Sequence, residues 1–430
     1  MKKKILIIPF VFPYPLSEGG AHGVFHYIDK LRDTYDISLL FEMKNHIGTH
    51  FDDLKTIWPN VTFYVFERPK VIVTQIIDKK KPTLAVIYDY IYSIPYRIKD
   101  CIVSKKQEEQ VQVQENTDDA FKKQATLYRT FWLLQPDFVN YIATIANKGF
   151  DIIQVEFFEY ISLANILPKD AEKIFIHHEL RYIRNEIELN LLENPDYYDT
   201  YMYLLSKQFE MESLRLYNKI VTVSDIDQRK LEKELPDKTI ISSPLIISKK
   251  EIPDYEYKFN NKLTFIGSAT HFPNMDGVKW FIANIWSEIN KKYPTLELHI
   301  IGKEWHPERF EGLSISNIFF DGFVENLHEA LVNSISIVPI RIGSGMRMKI
   351  IEAVKCRIPF IATPVGVEGL DFINNTDCFI ADTNINFIKS IEILLNDSIL
   401  QKKFIQNSVA KLNTLYNENK LIIRRKAVYD

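Results

Sequence analysis

The chain has 430 residues, 46% of them hydrophobic and 25% charged, the balance of a folded globular protein rather than a disordered one. Its 56 acidic and 53 basic groups leave a net charge of −3, which excludes the global basic surface expected of a nucleic-acid binder. The length exceeds one ordinary core, so two domains are expected.

Lys2-Lys3-Lys4 and the apolar run after them imitate a signal peptide, but Pro9, Pro13 and Pro15 break the run and no small-residue cleavage site follows. A buried strand over residues 5–9 explains the segment better. Gly19-Gly20 then lead into a helix over 21–31 and a strand over 37–41, the opening of a βαβ unit. Residues 68–134 are Lys-, Gln- and Tyr-rich with helical spacing, and are expected to form a helical insertion. Lys79-Lys80-Lys81 and nearby aromatics there also fit peripheral contact with a membrane. Strands at 152–156, 173–176 and 219–223 complete an α/β domain over 1–241. A boundary falls near Ser242-Ser243-Pro244. Residues 242–415 repeat the alternation, with strands at 263–267, 296–301, 318–320, 334–339 and 359–363. The segment 416–430 is expected to be a helix that crosses back to the first domain. The architecture is therefore α/β, two doubly wound halves with a cleft between them, a preferred place for a ligand.

Cys101, Cys356 and Cys378 are odd in number and widely spaced, which argues against a disulfide framework or a zinc site and fits a reducing cytoplasm. The apolar stretch at 84–94 is interrupted by Asp89 and too short for a bilayer. A cytoplasmic protein is expected, soluble or peripheral at the inner face of the membrane.

Most of the chemistry lies between Ile337 and Leu370. The segment reads as a strand, a glycine-bearing turn, a helix, and a second strand ending in a turn at Thr363-Pro364-Val365-Gly366. Gly343 and Gly345, flanking Ser344 and followed by Met346, let the backbone turn sharply near a ligand. On a helix starting near Met346, Lys349 and Glu352 share a face, with Arg347 just ahead. Unpaired N–H groups at a helix start favour anions, and two cations strengthen the preference. Glu352 repels phosphate but accepts hydrogen bonds from sugar hydroxyls, so the set describes a nucleotide diphosphate. Each feature alone is also an ordinary turn or solvated face. Their succession at the carboxyl ends of strands favours a site.

Other candidates fall on the same edges. Gly19-Gly20 join the first strand to the first helix and can expose N–H groups to an anion, without forming the dinucleotide fingerprint. His177-His178-Glu179 end a strand; neighbours there point to opposite faces, so they supply no three-ligand metal site, and one histidine reads either as facing a substrate hydroxyl with Glu179 to orient it or as a merely satisfied histidine. Ser224-Asp225-Ile226-Asp227 contains a D-x-D sequence but reads as a helix cap. Gly267-Ser268 offer another phosphate approach, and Asn274 reads as that or as a cap. Phe323 and Val324 follow a strand and read either as a platform for a nucleobase or as core.

Gly343 to Leu370, with Gly19-Gly20, His178-Glu179, Val221 to Ser224 and Phe265 to Gly267 in support, closely resembles the retaining glycosyltransferases of family 4, of the GT-B fold. The resemblance spans nearly the whole chain except 68–134. It implies two Rossmann-like domains, donor bound by the second and acceptor mainly by the first, and neither metal nor cofactor. By position, Glu352 would bind the donor ribose, Arg347 and Lys349 would lie at the diphosphate, His178 would touch the transferred sugar, and Gly19 and Gly20 would close on the diphosphate or the acceptor. Two departures stand out. Ser344 occupies the place of the first of the family's paired glutamates. Ser268, His271 and Lys279 stand where Arg and Lys often follow the first strand of the second domain.

The reaction implied is transfer of a sugar from a nucleoside diphosphate donor to a hydroxyl on a glycan, lipid-linked or protein acceptor, in surface polysaccharide or glycan biosynthesis. The alternatives are a GT-B nucleotide-sugar epimerase and a non-catalytic GT-B partner subunit.

Overall fold

A computed structural model describes residues 2–16, 19–44, 47–68, 121–247 and 255–430. Strands β1 (Lys4–Pro9), β2 (Asp36–Glu42), β3 (Thr62–Phe66), β4 (Ile152–Glu156), β5 (Glu172–His177), β6 (Lys219–Thr222) and β7 (Thr239–Ser242) form a parallel seven-stranded sheet in the order β3-β2-β1-β4-β5-β6-β7. Crossovers include helices α1 (Gly19–Leu31), α2 (Gly48–Ile57), α3 (Pro136–Ala146), α4 (Arg181–Asn190), α5 (Tyr197–Arg215) and α6 (Asp225–Glu234). Along β1, Ile5 and Ile7 enter one core layer while Leu6 and Ile8 enter the other. Helices on both faces therefore require a continuous apolar run from this central strand, and KILIIP supplies it.

The second sheet has six parallel strands, β8 (Lys262–Ile266), β9 (Glu297–Ile301), β10 (Ile318–Gly322), β11 (Ile335–Val338), β12 (Phe360–Ala362) and β13 (Phe379–Ile380), ordered β10-β9-β8-β11-β12-β13. It carries α7 (Phe272–Phe281), α8 (Met348–Lys355), α9 (Pro364–Val367), α10 (Asn384–Asn396) and α11 (Ser398–Leu415). The final helix, α12 (Glu418–Tyr429), leaves this half and packs on the first sheet: Val428 and Tyr429 join the core layer of Ile5 and Ile7, and Lys219 Nζ donates to the Val428 carbonyl at 2.9 Å.

The two doubly wound halves match the expected architecture, with short edge strands β3, β7 and β13 in addition to those expected. Of the expected insertion, residues 69–120 lie outside the described residues, as do Lys79 to Lys81, the 84–94 stretch and Cys101. Of the remainder, residues 121–122 are helical and Thr126–Tyr128 form a 3-10 turn. The Leu127 N–H there donates to Glu188 at 2.8 Å. The helix expected near Met346 begins at Met348, because Arg347 just before it holds non-helical backbone angles (φ −88°, ψ 85°). No helix among the described residues is long and apolar enough to cross a membrane.

Candidate functional site

Each sheet reverses its winding direction once, between β1 and β4 and between β8 and β11, and the carboxyl ends of those strands open the crevices where such sheets take ligands. Pro9, Glu156 and Phe157 rim the first crevice; Gly267-Ser268 and the turn after β11 rim the second.

His178 follows β5 and is fixed on three sides. Its Nε2 lies 2.8 Å from Glu156 Oε2, its ring stacks on Phe157 with centroids 4.0 Å apart and planes 4° from parallel, and Gly23 leaves room for its Cε1 edge. Phe157 has φ +74°, a conformation that costs a bulky residue on the order of 1 kcal/mol. Glu179 does not orient His178 as expected. It pairs with Arg184 at 3.0 Å, and although burial pushes its carboxyl up, Arg184, Arg181, His271 and Arg347 hold it down to about 2. Glu156 takes the orienting place. The sequence held one signal for it, an acid ending a strand beside the strand that ends in His177. His177 points to the opposite face, as expected, where it is buried 2.6 Å from Glu210.

The Gly343-Ser344-Gly345 turn crosses from the second half to meet this edge. Ser344 Oγ accepts the Leu180 N–H at 2.6 Å, and the Gly345 N–H donates to Asp227 Oδ2 at 2.9 Å. A Cβ on Gly345, whose φ is +78°, would run into the His178 carbonyl, so glycine is required there. The Ser344 hydroxyl is thus committed to the backbone of the first half. Lys230 and Glu368 pair at 2.8 Å nearby. The D-x-D segment caps α6 as expected, with the Asp227 N–H donating to Ser224 Oγ at 3.0 Å. Asp225 turns away to Arg424. Among the described residues no group of three His, Cys, Asp or Glu is placed to hold a metal ion.

Cations gather beneath the turn. Arg347 donates to the carbonyls of Ser344 and Val365, while its Nη2 is buried with no partner among the described residues. Lys349, in the first turn of α8, donates to Asn274 Oδ1 at 2.8 Å, and Asn274 Nδ2 donates to the Ser268 carbonyl at 2.8 Å. Asn274 therefore links Lys349 to the Gly267-Ser268 turn; the N-cap of α7 is His271. Burial, with Arg347 beside it, pushes the Lys349 ammonium down to about 7. Desolvation, with Arg184, Lys349 and Arg347 close by, pushes the His271 imidazole down to about 3. His271 is thus neutral, and the charge there belongs to Arg347 and Lys349.

Across the cleft, a Cβ on Gly19 would touch Met348 Cγ at 3.4 Å and one on Gly20 would touch Phe157 at 3.1 Å. The first glycine pair thus lies against both the start of α8 and the platform under His178. Glu352 sits one turn beyond Lys349 and pairs with Lys355 at 3.1 Å. Phe323 is exposed, with Lys303 5.1 Å above its ring, whereas Val324 packs partly into a core cluster. The core reading of Phe323 thus fails. Beside this edge a cavity of about 350 Å³ opens, lined by Phe10, Phe12, Tyr14, Phe41 and Tyr160 with Glu42, Lys44 and His50, and reached by Lys303 from the second half.

Residues 260–397 match the family model for glycosyl transferases group 1. The chain is 20% identical over 401 residues, 90% of each protein, to an uncharacterised 44.6 kDa protein in the cps region of Klebsiella pneumoniae. Its fold is similar to that of TarM, with a TM-score of 0.69 at 10% identity, covering 100% of this chain and 99% of the other. A mutant of S. aureus TarM in complex with Fondaparinux, alpha-GlcNAc-glycerol and UDP gives 0.66 at 10% identity, covering 100% of both. Anabaena HepE in complex with UDP and glucose gives 0.60 at 8% identity and 99% of both chains. The match over residues 260–397 and the GT-B fold of the chain together support a GT-B glycosyltransferase.

Proposed function

We propose that the protein is a retaining glycosyltransferase of family 4 that moves a sugar from a nucleoside diphosphate to a hydroxyl acceptor in surface glycan assembly. The observation that carries this reading is the convergence of Arg347, Lys349 and the start of α8 from the second half with Gly19 and His178 from the first. Buried cations and unpaired N–H groups meet charge where it develops on a departing diphosphate. Arg347 and Lys349 do this work, Glu352 binds the ribose, and Phe323 stacks on the base. Gly267, Ser268, Gly343 and the backbone of Met346 complete the donor side.

The acceptor occupies the cavity on the first half, where aromatic rings present faces to a sugar ring. Its hydroxyl attacks the anomeric carbon from the face the diphosphate leaves. The C–O bond to phosphate breaks, the new C–O bond forms, and the hydroxyl proton passes to a leaving phosphate oxygen. The configuration is thereby retained without a covalent enzyme intermediate. Closure of the glycine turn onto Leu180 and Asp227 excludes water, whose attack would waste the donor. UDP in two of the similar structures favours a uridine donor, and the cps region of the Klebsiella relative favours a polysaccharide acceptor.

The test is a panel of nucleotide sugars followed for binding by calorimetry and for released nucleotide, with and without glycan acceptors. Release that depends on acceptor, and a product whose anomeric proton coupling matches the donor's, is expected. Conversion of donor alone to an epimer, or an inverted product, overturns it.

A further inference from the structure

We infer that Glu156 is a positioning residue for His178, and that it is itself set by Gln154 and by Tyr429 of the last helix, so that the imidazole presents an unprotonated Nδ1 to the substrate. The chain of contacts is continuous and mostly buried. Tyr429 Oη donates to Gln154 Oε1 at 2.6 Å, Gln154 Nε2 donates to Glu156 Oε1 at 2.5 Å, and His178 Nε2 lies 2.8 Å from Glu156 Oε2. Gln154, Glu156 and Tyr429 are each no more than 3% exposed.

The polarity of every link is dictated by chemistry. An ionised carboxylate only accepts, so the Gln154 amide must turn its NH₂ toward Glu156 and its oxygen toward Tyr429. That oxygen in turn requires the tyrosine proton. On the other side, the carboxylate requires a proton on His178 Nε2, and a neutral imidazole carrying it there has only a lone pair on Nδ1. No described residue bonds to Nδ1. The stack on Phe157 and the space left by Gly23 hold the ring plane, which leaves the tautomer as the property the relay decides.

Behind Tyr429 stands Arg425, 0% exposed, its guanidinium 3.5 Å from the Tyr27 ring centroid and its Nε donating to Ser243 at 3.0 Å. The relay therefore joins a helix that arrives from the second half to the histidine on the first, and an acceptor atom is offered to a sugar hydroxyl only while that helix is seated. The catalytic consequence rests on the proposed glycosyl transfer; the tautomer does not.

Full-length protein labelled with ¹⁵N-histidine, read by long-range ¹H–¹⁵N correlation and assigned by the signal lost in His178→Asn, tests the relay without any substrate. The Nε2-protonated form is expected in the parent, and a mixture of tautomers in Glu156→Gln and in Tyr429→Phe. Tyr429→Phe keeps the ring on Tyr35, 5.3 Å away, and loses only the hydroxyl, so it decides the matter if Glu156→Gln does not fold. The same variant should lower kcat for nucleotide release about tenfold while donor KM stays within about twofold. An Nδ1-protonated His178 in the parent, or a tautomer unchanged in both variants, overturns the inference. A relay that behaves as expected in a protein that turns over no nucleotide sugar leaves the inference standing and defeats the proposed function.

Discussion

The Gly345 N–H donates to Asp227 over 2.9 Å, so a carboxylate at the start of an N-terminal helix holds the tip of a turn that belongs to the C-terminal half. Asp227 is 2% exposed, also accepts from the Ser224 hydroxyl at 2.8 Å, and leaves Oδ1 without a partner among the described residues. Burial pushes its carboxyl above the ordinary value of 3.8. A raised acid favours folding while protonated, and this contribution is lost as pH rises through the folded value. Asp227→Asn keeps an acceptor oxygen and removes the buried charge. Its melting temperature should equal or exceed the parent's at neutral pH and lose that advantage below about pH 4. Asp227→Ala removes the acceptor and should cost about 1–2 kcal/mol at neutral pH.

Gly345→Ala should leave each half folded but prevent the turn from reaching the His178 carbonyl, because a Cβ has no room there and φ is +78°. Turnover of a nucleotide sugar should fall by about a hundredfold, on the order of 2–3 kcal/mol of lost transition-state stabilisation. Small-angle scattering should show a more open molecule. A parent-like rate would show that the turn need not close on His178.

Lys349 has a pH signature in two readouts. Its ammonium is lowered from 10.5 to about 7, so a nucleoside diphosphate should bind tightest below that value and progressively more weakly above it. Lys349→Gln should flatten this dependence in calorimetry. Stability should move the opposite way. Between the two values the unfolded chain binds the extra proton, so the parent gains on the order of 1–3 kcal/mol from neutral to alkaline pH, and Lys349→Met should not.

Glu352→Ala should weaken the donor nucleotide about tenfold to a hundredfold by calorimetry and leave the melting temperature almost unchanged. The pair it forms with Lys355 joins neighbours on one partly exposed helix face and is worth only about 0.5 kcal/mol. Unchanged affinity would move the ribose elsewhere.

Central strands were legible because burial on both faces demands a nearly unbroken apolar run, as in Ile5 to Pro9 or, with only Ser336 interrupting, Ile335 to Val338. Strands β3 and β7 were not: TFYVF and TIIS lie at sheet edges, where fewer neighbours demand apolar residues. The glycine turns, Arg347 and Lys349 could be read as a set because they are close in sequence. Glu156 could not, since its partner lies one strand away and only the pairing of Glu156 with Ile176 brings the two ends level. Asn274 was half legible. Its place after a strand was right, but its use as a bridge depends on Lys349, 75 residues later in the chain.

The return of α12 to the first sheet changes how the halves can move. The chain passes between them near Ser243 and again near Asn417, and Arg425 and Tyr27 fasten the second passage to the first through Ser243 and Pro244. Two bodies joined by a single tether have three independent rotations. Joined at two fastened points, they keep chiefly one, a swing about the line through both. Each opening then retraces the same arc, and Gly345 returns to Asp227 without a search over orientations.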